Sequence, residues 1–199
     1  MVTARDAYLG LLALFALERV AELWLSARNA RRALARGAVE SGRGHYPAMV
    51  AVHALFLLAC AAEALAFPAP PPPLALLAVA GALGAQALRW WAVATLGHRW
   101  NTRILVVPGE PPATAGPYRW LRHPNYLAVV VEVACLPLAF GSWRTALVFS
   151  VLNALLLRRR IPDEERALGP GWAAALGERP RLLPGLRPPA PPGAGRASP

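Results

Sequence analysis

Polar and aromatic side chains able to bind or activate a small molecule concentrate in three short segments of this chain. The candidates are Asn101 and Arg103 in the first segment, Tyr118, Arg122, His123, Pro124 and Tyr126 in the second, and Arg160, Glu164 and Glu165 in the third. Guanidinium groups hold carboxylates well, and carboxylates can bind an ammonium group or the two hydroxyls of a ribose. The set therefore suits a polar cofactor that carries both charges and meets a lipid-like substrate.

Apolar segments separate and must position these groups. They are residues 7–27, 47–67, 74–96, 126–140 and 145–157. The first three are long enough to cross a hydrocarbon core of about 30 Å as helices that rise 1.5 Å per residue. The last two are shorter and are joined by residues 141–144, which predicts a helical hairpin. We therefore expect an all-α, polytopic membrane protein with about five transmembrane helices and a C-terminal hairpin.

Arginine placement predicts how these helices are oriented. All 21 basic residues are Arg, and the formal net charge is +10. They cluster after the first, third and fifth apolar segments, whereas residues 68–73 and 141–144 together hold a single Arg. Short loops rich in Arg stay on the cytoplasmic side. The N-terminus is therefore expected outside, and the candidate cofactor pocket is expected to face the cytoplasm of a bacterial cytoplasmic membrane.

Composition excludes several other classes of protein. Apolar residues make up 56% of the chain and charged residues only 16%, against about a quarter in soluble domains. The positive charge lies between apolar segments and not on one soluble face, so nucleic acid is not an expected partner. Two cysteines do not make a disulfide scaffold, and the four His residues lack metal-ligand spacing. No glycine-rich strand-turn-helix fingerprint of a Rossmann domain occurs.

Three regions are expected along the chain. Residues 1–96 would form a three-span membrane region, and residues 97–183 a core that contains the hairpin. Residues 184–199, rich in Pro, Gly and Ala, are expected to be disordered. Within the core, Pro162 followed by three acidic residues resembles the first turn of a helix, which predicts a new helix start there.

Two motifs in this core resemble a known family. Residues 116–126 read Gly-Pro-Tyr-Arg-x-x-Arg-His-Pro-x-Tyr, and residues 160–168 read Arg-Ile-x-x-Glu-Glu-x-x-Leu. In this order, with a hairpin between them, they look like the signature of the isoprenylcysteine carboxyl methyltransferase family of integral-membrane methyltransferases. The likeness covers about residues 96–184. Where the family usually has tyrosines in a terminal Gly-x-x-Tyr pattern, this chain has Trp172 and Leu176.

The resemblance implies S-adenosylmethionine as methyl donor, bound at the cytoplasmic end, and a lipophilic acceptor that arrives laterally from the membrane lipids. By matching position, the implied cofactor-binding residues are Tyr118, Arg122, His123, Pro124, Tyr126, Glu164 and Glu165. Arg160 is the implied residue for orienting the oxyanion of the acceptor. Asn101 and Arg103 join it as catalytic candidates.

The N-terminal half is similar to the bacterial branch of that family, in Arg19, Glu22, Arg28-Asn29, residues 37–40, residues 45–47 and His53, with residues 100–103 later. The characterised members of that branch O-methylate alkylpyrones and alkylresorcinols made by type III polyketide synthases. A 4-hydroxy-2-pyrone is largely ionised near neutral pH, so transfer to it needs alignment more than a general base. A phenolic resorcinol needs a proton acceptor, for which His123, His98 and Glu18 are the candidates.

Three other functions compete with this reading. The first is the carboxyl methylation of a prenylated cysteine, as in the family's namesake. The second is an NADPH-dependent membrane reductase of the sterol-reductase kind, which shares a related Arg-His-Pro-x-Tyr motif but is normally longer. The third is a non-catalytic membrane subunit that keeps the fold.

Overall fold

Five α-helices make up most of the chain. The structure, a computed structural model, describes residues 3–67 and 73–183. The helices are α1 (Ala4–Ala35), α2 (Tyr46–Ala66), α3 (Ala75–Leu96), α4 (Pro124–Leu138) and α5 (Trp143–Leu176). The all-α class is therefore observed in the described residues. The expected disordered tail, residues 184–199, and residues 68–72 of the proline-rich turn lie outside them.

The first three helices follow the predicted apolar segments, with one difference at the end of α1. At its start, the Thr3 hydroxyl accepts a hydrogen bond from the Asp6 amide at 3.1 Å, and the Asp6 carboxylate accepts one from the Thr3 amide at 2.9 Å. This capping box fixes the first turn. Helix α1 then continues to Ala35, eight residues beyond the apolar segment, because Ala30 and Ala33 are buried and Asn29 donates to the carbonyls of Gly97 and Trp100, after α3.

Helices α4 and α5 form the predicted hairpin, but the expected helix start at Pro162 is wrong. Helix α5 runs through Pro162, because Leu157, Arg160 and Ile161 are buried and hold the preceding turn against α4. The break lies at Gly169, with φ 76° and ψ −173°. That conformation is essentially restricted to glycine. The chain therefore turns sharply there, and the last helical turns fold back towards the start of α4.

A two-stranded antiparallel ribbon joins the loops at one end of the helices. Strand β1 (Val39–Ser41) follows α1, and strand β2 (Ile104–Val106) follows α3, with Glu40 opposite Leu105. The sequence analysis did not anticipate it, because three-residue strands are too short to give a period-2 pattern. The ribbon ties the segment between α1 and α2 to the segment that holds Asn101 and Arg103.

The apolar core lies between α1, α2, α4 and α5, towards the opposite end of the molecule. Tyr8 stacks on Phe140 with 5.1 Å between ring centroids, and Phe56 packs against Phe149 at 5.5 Å. Helix α3 packs along α4. The core therefore holds the hairpin against the first two helices and leaves the other end to the polar loops.

Two helices are long and apolar enough to cross a membrane within the described residues. They span Arg43–Ala66 and Ala75–Arg99, while Pro124–Leu138 is apolar but shorter. Helices α1 and α5 do not pass the same test on hydropathy. Helix α1 carries Glu18, Arg19 and Glu22 in its apolar segment, and α5 carries a run of Arg. Length and composition thus support two membrane spans in the described residues, and they do not confirm the predicted number of five.

Candidate functional site

Arg160, Tyr126 and Glu164 form a continuous polar chain at the base of the α4–α5 hairpin. Arg160 and Glu164 lie four residues apart on α5, so they share one face of that helix. The Arg160 Nε atom donates to the Tyr126 hydroxyl at 2.7 Å, and that hydroxyl donates to the Glu164 carboxylate. Arg160 also donates from Nη2 to the Thr102 carbonyl at 2.5 Å. One tyrosine hydroxyl thus connects a buried cation to a partly exposed anion.

His123 lies at the N-terminal end of α4, between two aromatic rings. Its imidazole is 5.3 Å from the Tyr126 ring and 5.6 Å from the Trp172 ring, measured between centroids. The Nε2 atom donates to Glu165 Oε1 at 3.1 Å, and Nδ1 lies 3.9 Å from Glu164 Oε1. Trp172 reaches this position because the chain turns at Gly169. The ring of His123 is therefore held by the stacked Tyr126 ring, the tilted Trp172 ring and a carboxylate.

Three cationic or protonatable side chains surround Glu165. Besides His123, Arg122 Nη1 lies 3.1 Å from Glu165 Oε1, and Arg181 Nη2 donates to Oε2 at 2.7 Å. Burial alone would raise the pKa of the Glu165 carboxyl, but the hydrogen bonds from Arg181 and His123 and the charge of Arg122 lower it below its ordinary value. Glu165 is therefore ionised and fully engaged by the protein.

The segment after α5 closes back over this motif. The backbone amides of Arg122 and His123 donate to the carbonyls of Pro180 and Arg181 at 3.0 and 3.2 Å. Arg179 donates to the Tyr118 carbonyl. Burial of the Tyr118 side chain raises its pKa, so its hydroxyl stays neutral. Residues 179–181 thus act as a strap that fixes the loop before α4.

The loop that carries Asn101 and Arg103 is anchored on α1. Ser26 Oγ donates to Asn101 Oδ1 at 2.9 Å and accepts from the Thr102 amide at 3.0 Å. Asn101 Nδ2 donates to the Ser26 carbonyl at 3.1 Å, and Asn101 Oδ1 also accepts from the Arg103 amide at 2.9 Å. Both ends of the Asn101 amide are therefore used inside the protein. The Arg103 guanidinium instead lies over the Tyr46 ring at 5.3 Å.

A cavity of about 800 Å³ brings most of these groups together. The candidates that line it are Asn101, Arg103, Tyr118, Arg122, His123, Tyr126, Arg160 and Glu164. Pro124, which is fully buried, and Glu165 do not line it. We call the part formed by Tyr118, Arg122, His123, Glu164 and Trp172 the polar mouth. The three sequence segments thus converge on one space beside the hairpin that they bracket in the sequence.

Apolar side chains of α1 and α2 form the opposite side of the cavity. We call this surface the apolar wall; it consists of Val20, Leu23, Val50, Ala54 and Leu57. Val20 is 64% exposed, Leu23 43% and Val50 36%, so the wall is accessible to a ligand. A polar mouth and an apolar wall in one cavity suit two ligands of different polarity.

Five ionisable residues form an inner charge cluster beyond the wall. They are Glu18, Arg19, Glu22, Arg89 and Glu132. Arg19 Nη1 lies 2.9 Å from Glu22 Oε2, and Arg89 donates to Glu132. Gln86 and Trp90 donate to Glu18. The pairing of Glu18 and Glu22 with Arg and polar side chains of neighbouring helices accounts for charges at this depth, where unpaired ones are costly. Arg19, Glu22 and Arg89 also line the cavity.

Several buried polar atoms on the cavity lining have no hydrogen-bond partner within the described residues. They are Arg19 Nε, Glu22 Oε1, His45 Nε2, Arg122 Nε and Asn125 Oδ1. Buried polar groups in proteins are nearly always paired, and a missing partner costs about 1–3 kcal/mol. These atoms are sealed from the cavity as well as from bulk water, so a ligand reaches them only if their side chains move.

Sequence reasoning missed several lining residues. They are His45, Tyr46, Thr102, Asn125, Asn153 and Trp172. His45 lies in the turn before α2 with Nδ1 3.5 Å from Asp163 Oδ2. In the sequence, only the residue type of His45 indicated that it could take part in a functional site. Asn125 lies inside the recognised motif, whereas Thr102 and Trp172 reach the cavity through contacts that no local pattern encodes. Among residues 3–67 and 73–183, no cluster of His, Cys, Asp and Glu is arranged to hold a metal ion.

Comparison with known proteins identifies the family. A sequence model of the isoprenylcysteine carboxyl methyltransferase family matches residues 76–170. The uncharacterized protein YpbQ of Bacillus subtilis (strain 168) is 40% identical over 158 residues, which cover 79% of this chain and 94% of that protein. An uncharacterized protein of Haemophilus influenzae is 27% identical over 155 residues, covering 75% of this chain and 88% of its own length. These matches confirm the motif-based prediction: the chain belongs to the isoprenylcysteine carboxyl methyltransferase family.

Proposed function

We propose that this chain is an S-adenosylmethionine-dependent O-methyltransferase whose acceptor is an alkylpyrone or alkylresorcinol of type III polyketide origin. The observation that carries the proposal is the single cavity that joins the polar mouth to the apolar wall. A charged cofactor fits the first, and the alkyl tail of a ring-bearing lipid fits the second. Membership of a methyltransferase family supports the reaction class.

The polar mouth fits the methyl donor in each of its parts. Arg122 pairs with Glu165 through Nη1 and has further guanidinium donors for the cofactor carboxylate, and Glu164 can accept from its ammonium or ribose hydroxyls. Trp172 and Tyr118 offer aromatic faces for the adenine and for the positive sulfonium. When bound, the cofactor supplies an electrophilic methyl group. Glu165 acts behind this surface, where it holds His123 and Arg122 in place.

Arg160 is the residue that we propose to orient the acceptor oxygen. A guanidinium has five N–H donors, and the Tyr126 hydroxyl and Thr102 carbonyl take two of them. The remaining donors can hold an oxyanion on the cavity lining. Methyl transfer then requires that a lone pair of the acceptor oxygen is aligned with the donated methyl group. Holding the two groups in this geometry is by itself enough to accelerate the reaction. Arg103 and Asn101 complete this side, Asn101 by fixing the loop.

A phenolic acceptor also has to release its proton, and we propose His45 as the group that takes it. His45 lines the cavity, and its Nδ1 atom lies 3.5 Å from Asp163 Oδ2, a carboxylate that would stabilise the protonated ring. The earlier candidates are placed less suitably. His98 and Glu18 are not on the lining, and His123 Nε2 already donates to Glu165. An ionised pyrone would not need this step.

We further propose that five helices cross the cytoplasmic membrane of a bacterium, with the polar mouth on the cytoplasmic side. Two helices have the required length and composition. The charges that interrupt α1 are paired with Arg89, Gln86 and Trp90 inside the protein, which lowers the cost of a third span. The Arg-rich segments meet at the end of the bundle that holds the cavity. Lipid acceptors would then reach the apolar wall between α1 and α2.

The proposal is tested by transfer of labelled methyl groups from S-adenosylmethionine by purified protein in nanodiscs. The acceptors are an alkylpyrone, an alkylresorcinol and a prenylated cysteine. Arg160→Ala should lower transfer at least tenfold and leave cofactor binding, measured by calorimetry, within about threefold. Arg158→Ala is the matched control, because Arg158 lies two residues away on an exposed face.

Each alternative function has its own result in this assay. Transfer to the prenylated cysteine alone would identify the namesake activity. Binding of NADPH in place of S-adenosylmethionine would favour a reductase. No binding of either cofactor would favour a non-catalytic subunit. Equal losses from Arg158→Ala and Arg160→Ala would contradict the role of Arg160 while leaving the reaction class intact.

A further inference from the structure

Two neutral polar side chains lie deep in the cavity, one on α5 and one on α2. Asn153 is only 4% exposed and lines the cavity, and no hydrogen bond joins its amide to another described residue. His53 also lines the cavity and uses only Nδ1, which donates to the Met49 carbonyl at 2.8 Å. Neither the Asn153 amide nor His53 Nε2 is among the polar atoms that are sealed from the cavity. Both groups are therefore open to a ligand.

Helices α2 and α5 lie side by side and run in opposite directions. His45, just before α2, has its Nδ1 atom 3.5 Å from Asp163 Oδ2 in the second half of α5. Glu63, near the end of α2, accepts a hydrogen bond at 2.8 Å from the Thr145 amide in the first turn of α5. Residues that come earlier in α2 therefore lie opposite residues that come later in α5.

An aromatic contact between these helices fixes the level of the two polar groups. Phe56 of α2 packs against Phe149 of α5 with 5.5 Å between ring centroids. His53 comes three residues before Phe56 and Asn153 four residues after Phe149, which corresponds to about 4.5 and 6 Å along the helix axes. Both intervals return to the same helix face. His53 and Asn153 therefore lie opposite each other, one helical turn from the two phenylalanines towards the polar mouth.

The two groups together select the chemistry of what lies between them. Because Nδ1 donates, the neutral His53 ring accepts at Nε2, whereas the Asn153 amide donates through Nδ2 and accepts through Oδ1. A carbonyl oxygen would satisfy Asn153 and leave His53 without a donor. A charged group would exchange its hydration for two neutral partners, which is costly. A hydroxyl can donate to His53 and accept from Asn153 at the same time.

The position of Asn153 along α5 shows which part of an acceptor reaches this pair. Asn153 lies seven residues before Arg160 on the same helix face, and seven residues of helix are about 10.5 Å. A six-membered ring whose oxygen is held at Arg160 is too short to cover that distance. Ala54 and Leu57 of the apolar wall come from the same part of α2 as His53. The alkyl tail of an acceptor therefore passes the pair.

We propose that His53 and Asn153 form a site for a hydroxyl on the tail of the acceptor, about 10 Å from the oxygen that is methylated. This inference rests on the proposed function and narrows its acceptor to ring lipids with a hydroxylated tail. A tail without the hydroxyl would leave both groups without a partner, which disfavours its binding. The pair therefore acts as a specificity determinant and takes no part in the chemistry of transfer.

A series of ligands that differ in the place of one hydroxyl tests the inference. The ligands are 5-alkylresorcinols of equal tail length, with no tail hydroxyl in the parent and one hydroxyl at successive tail carbons in the others. Each is titrated by calorimetry into the full chain in nanodiscs without cofactor. The best position should bind about tenfold more tightly than the parent, and positions next to the ring or at the end of the tail should bind more weakly. Equal or lower affinity at every position would overturn the proposal, because water would then satisfy the pair as well as the hydroxyl does.

Variants then locate the preference at the pair. Asn153→Leu keeps the size of the side chain, removes its donor and should abolish the preference. His53→Phe keeps an aromatic ring and removes the acceptor; it should reduce the preference about threefold and decides the question if the Asn153 variant does not fold. Ser150→Ala is the matched control. It removes a polar group from the same helix, one turn away and off the cavity lining, so it should keep the preference.

The outcomes separate this proposal from the proposed function. A preference that survives both substitutions in the pair, or that Ser150→Ala abolishes equally, would overturn the hydroxyl site. Methyl transfer to the parent and to the hydroxylated ligands without any difference in affinity would do the same and leave the methyltransferase function standing. A preference without methyl transfer would support the site and reject the function. Failure of every ligand to bind would reject both.

Discussion

Removal of the Tyr126 hydroxyl tests whether this side chain positions Arg160 for the reaction. Tyr126→Phe deletes the acceptor of the Arg160 Nε hydrogen bond and the donor to Glu164. Arg160 is 5% exposed, so water cannot replace its lost partner, whereas the Glu164 side chain is 27% exposed and can be rehydrated. Only the lost hydrogen bond to Arg160 should therefore contribute its full free energy. Hydrogen bonds to charged groups contribute about 1.5–3 kcal/mol, so Tyr126→Phe should lower the free energy of unfolding by about this amount.

The same substitution should slow methyl transfer more than it weakens cofactor binding. A free energy of 1.4 kcal/mol corresponds to a tenfold change in rate, so kcat should fall by about 10–100-fold. The dissociation constant of S-adenosylmethionine should change less than threefold, because Glu164 keeps its charge. The midpoint of thermal unfolding should drop by about 3–12 °C, from about 2–4 °C per kcal/mol for a chain of this size.

Two comparisons decide whether this reasoning holds. Tyr8→Phe makes the same chemical change in the apolar core, away from the cavity, and should leave kcat unchanged. Arg160→Ala combined with Tyr126→Phe should be no slower than Arg160→Ala alone, because Tyr126 acts through Arg160. A normal kcat in Tyr126→Phe, or fully additive losses in the double variant, would refute the positioning role.

Three further substitutions test how the cavity is held together. Gly169→Ala places a side chain at φ 76° and ψ −173°, which should cost about 1–3 kcal/mol in denaturant unfolding; an unchanged midpoint would show that the turn does not need glycine. Ser26→Ala leaves the Thr102 amide without its partner and removes one of the two hydrogen bonds to Asn101 Oδ1, so thermal stability should fall by about 1–3 kcal/mol, and full stability would contradict this anchor. The lowered pKa of Glu165 stabilises the fold fully above about pH 4.5 and is lost as the pH falls towards the folded-state pKa. Between pH 3 and 6, the midpoint of thermal unfolding should therefore change less with pH in Glu165→Gln than in the wild-type protein. Parallel curves for the two proteins would show that Glu165 does not have a lowered pKa in the folded state.

Sequence patterns predicted the apolar helices well where burial and composition coincide. The expected segments 47–67 and 74–96 correspond closely to Tyr46–Ala66 and Ala75–Leu96. The three polar segments bracket the predicted hairpin in the sequence, and the structure brings them to one cavity. The motif around His123 and the acidic pair after Arg160 identified the family without any structure.

Contacts between distant residues could not be predicted in this way. Ser26 anchors a loop 75 residues away, and no local period marks it. Trp172 reaches His123 only because α5 breaks at Gly169, whereas local sequence favoured a new helix at Pro162. The prediction failed because the buried residues of the turn before Pro162, Leu157, Arg160 and Ile161, outweigh the cost of proline inside a helix. Tertiary packing overrode the local signal in each case.

The polar chain through Tyr126 means that the cofactor and acceptor sides of the cavity are not independent. Glu164 belongs to the polar mouth, and Arg160 faces the space proposed for the acceptor, yet one hydroxyl holds both. A ligand that draws Glu164 away from Tyr126 also loosens Arg160, and a ligand that holds Glu164 in place stiffens it. Binding at one side must therefore change the affinity at the other by the same factor. The acceptor should bind with different affinity once the mouth is filled, and Tyr126→Phe should remove that coupling.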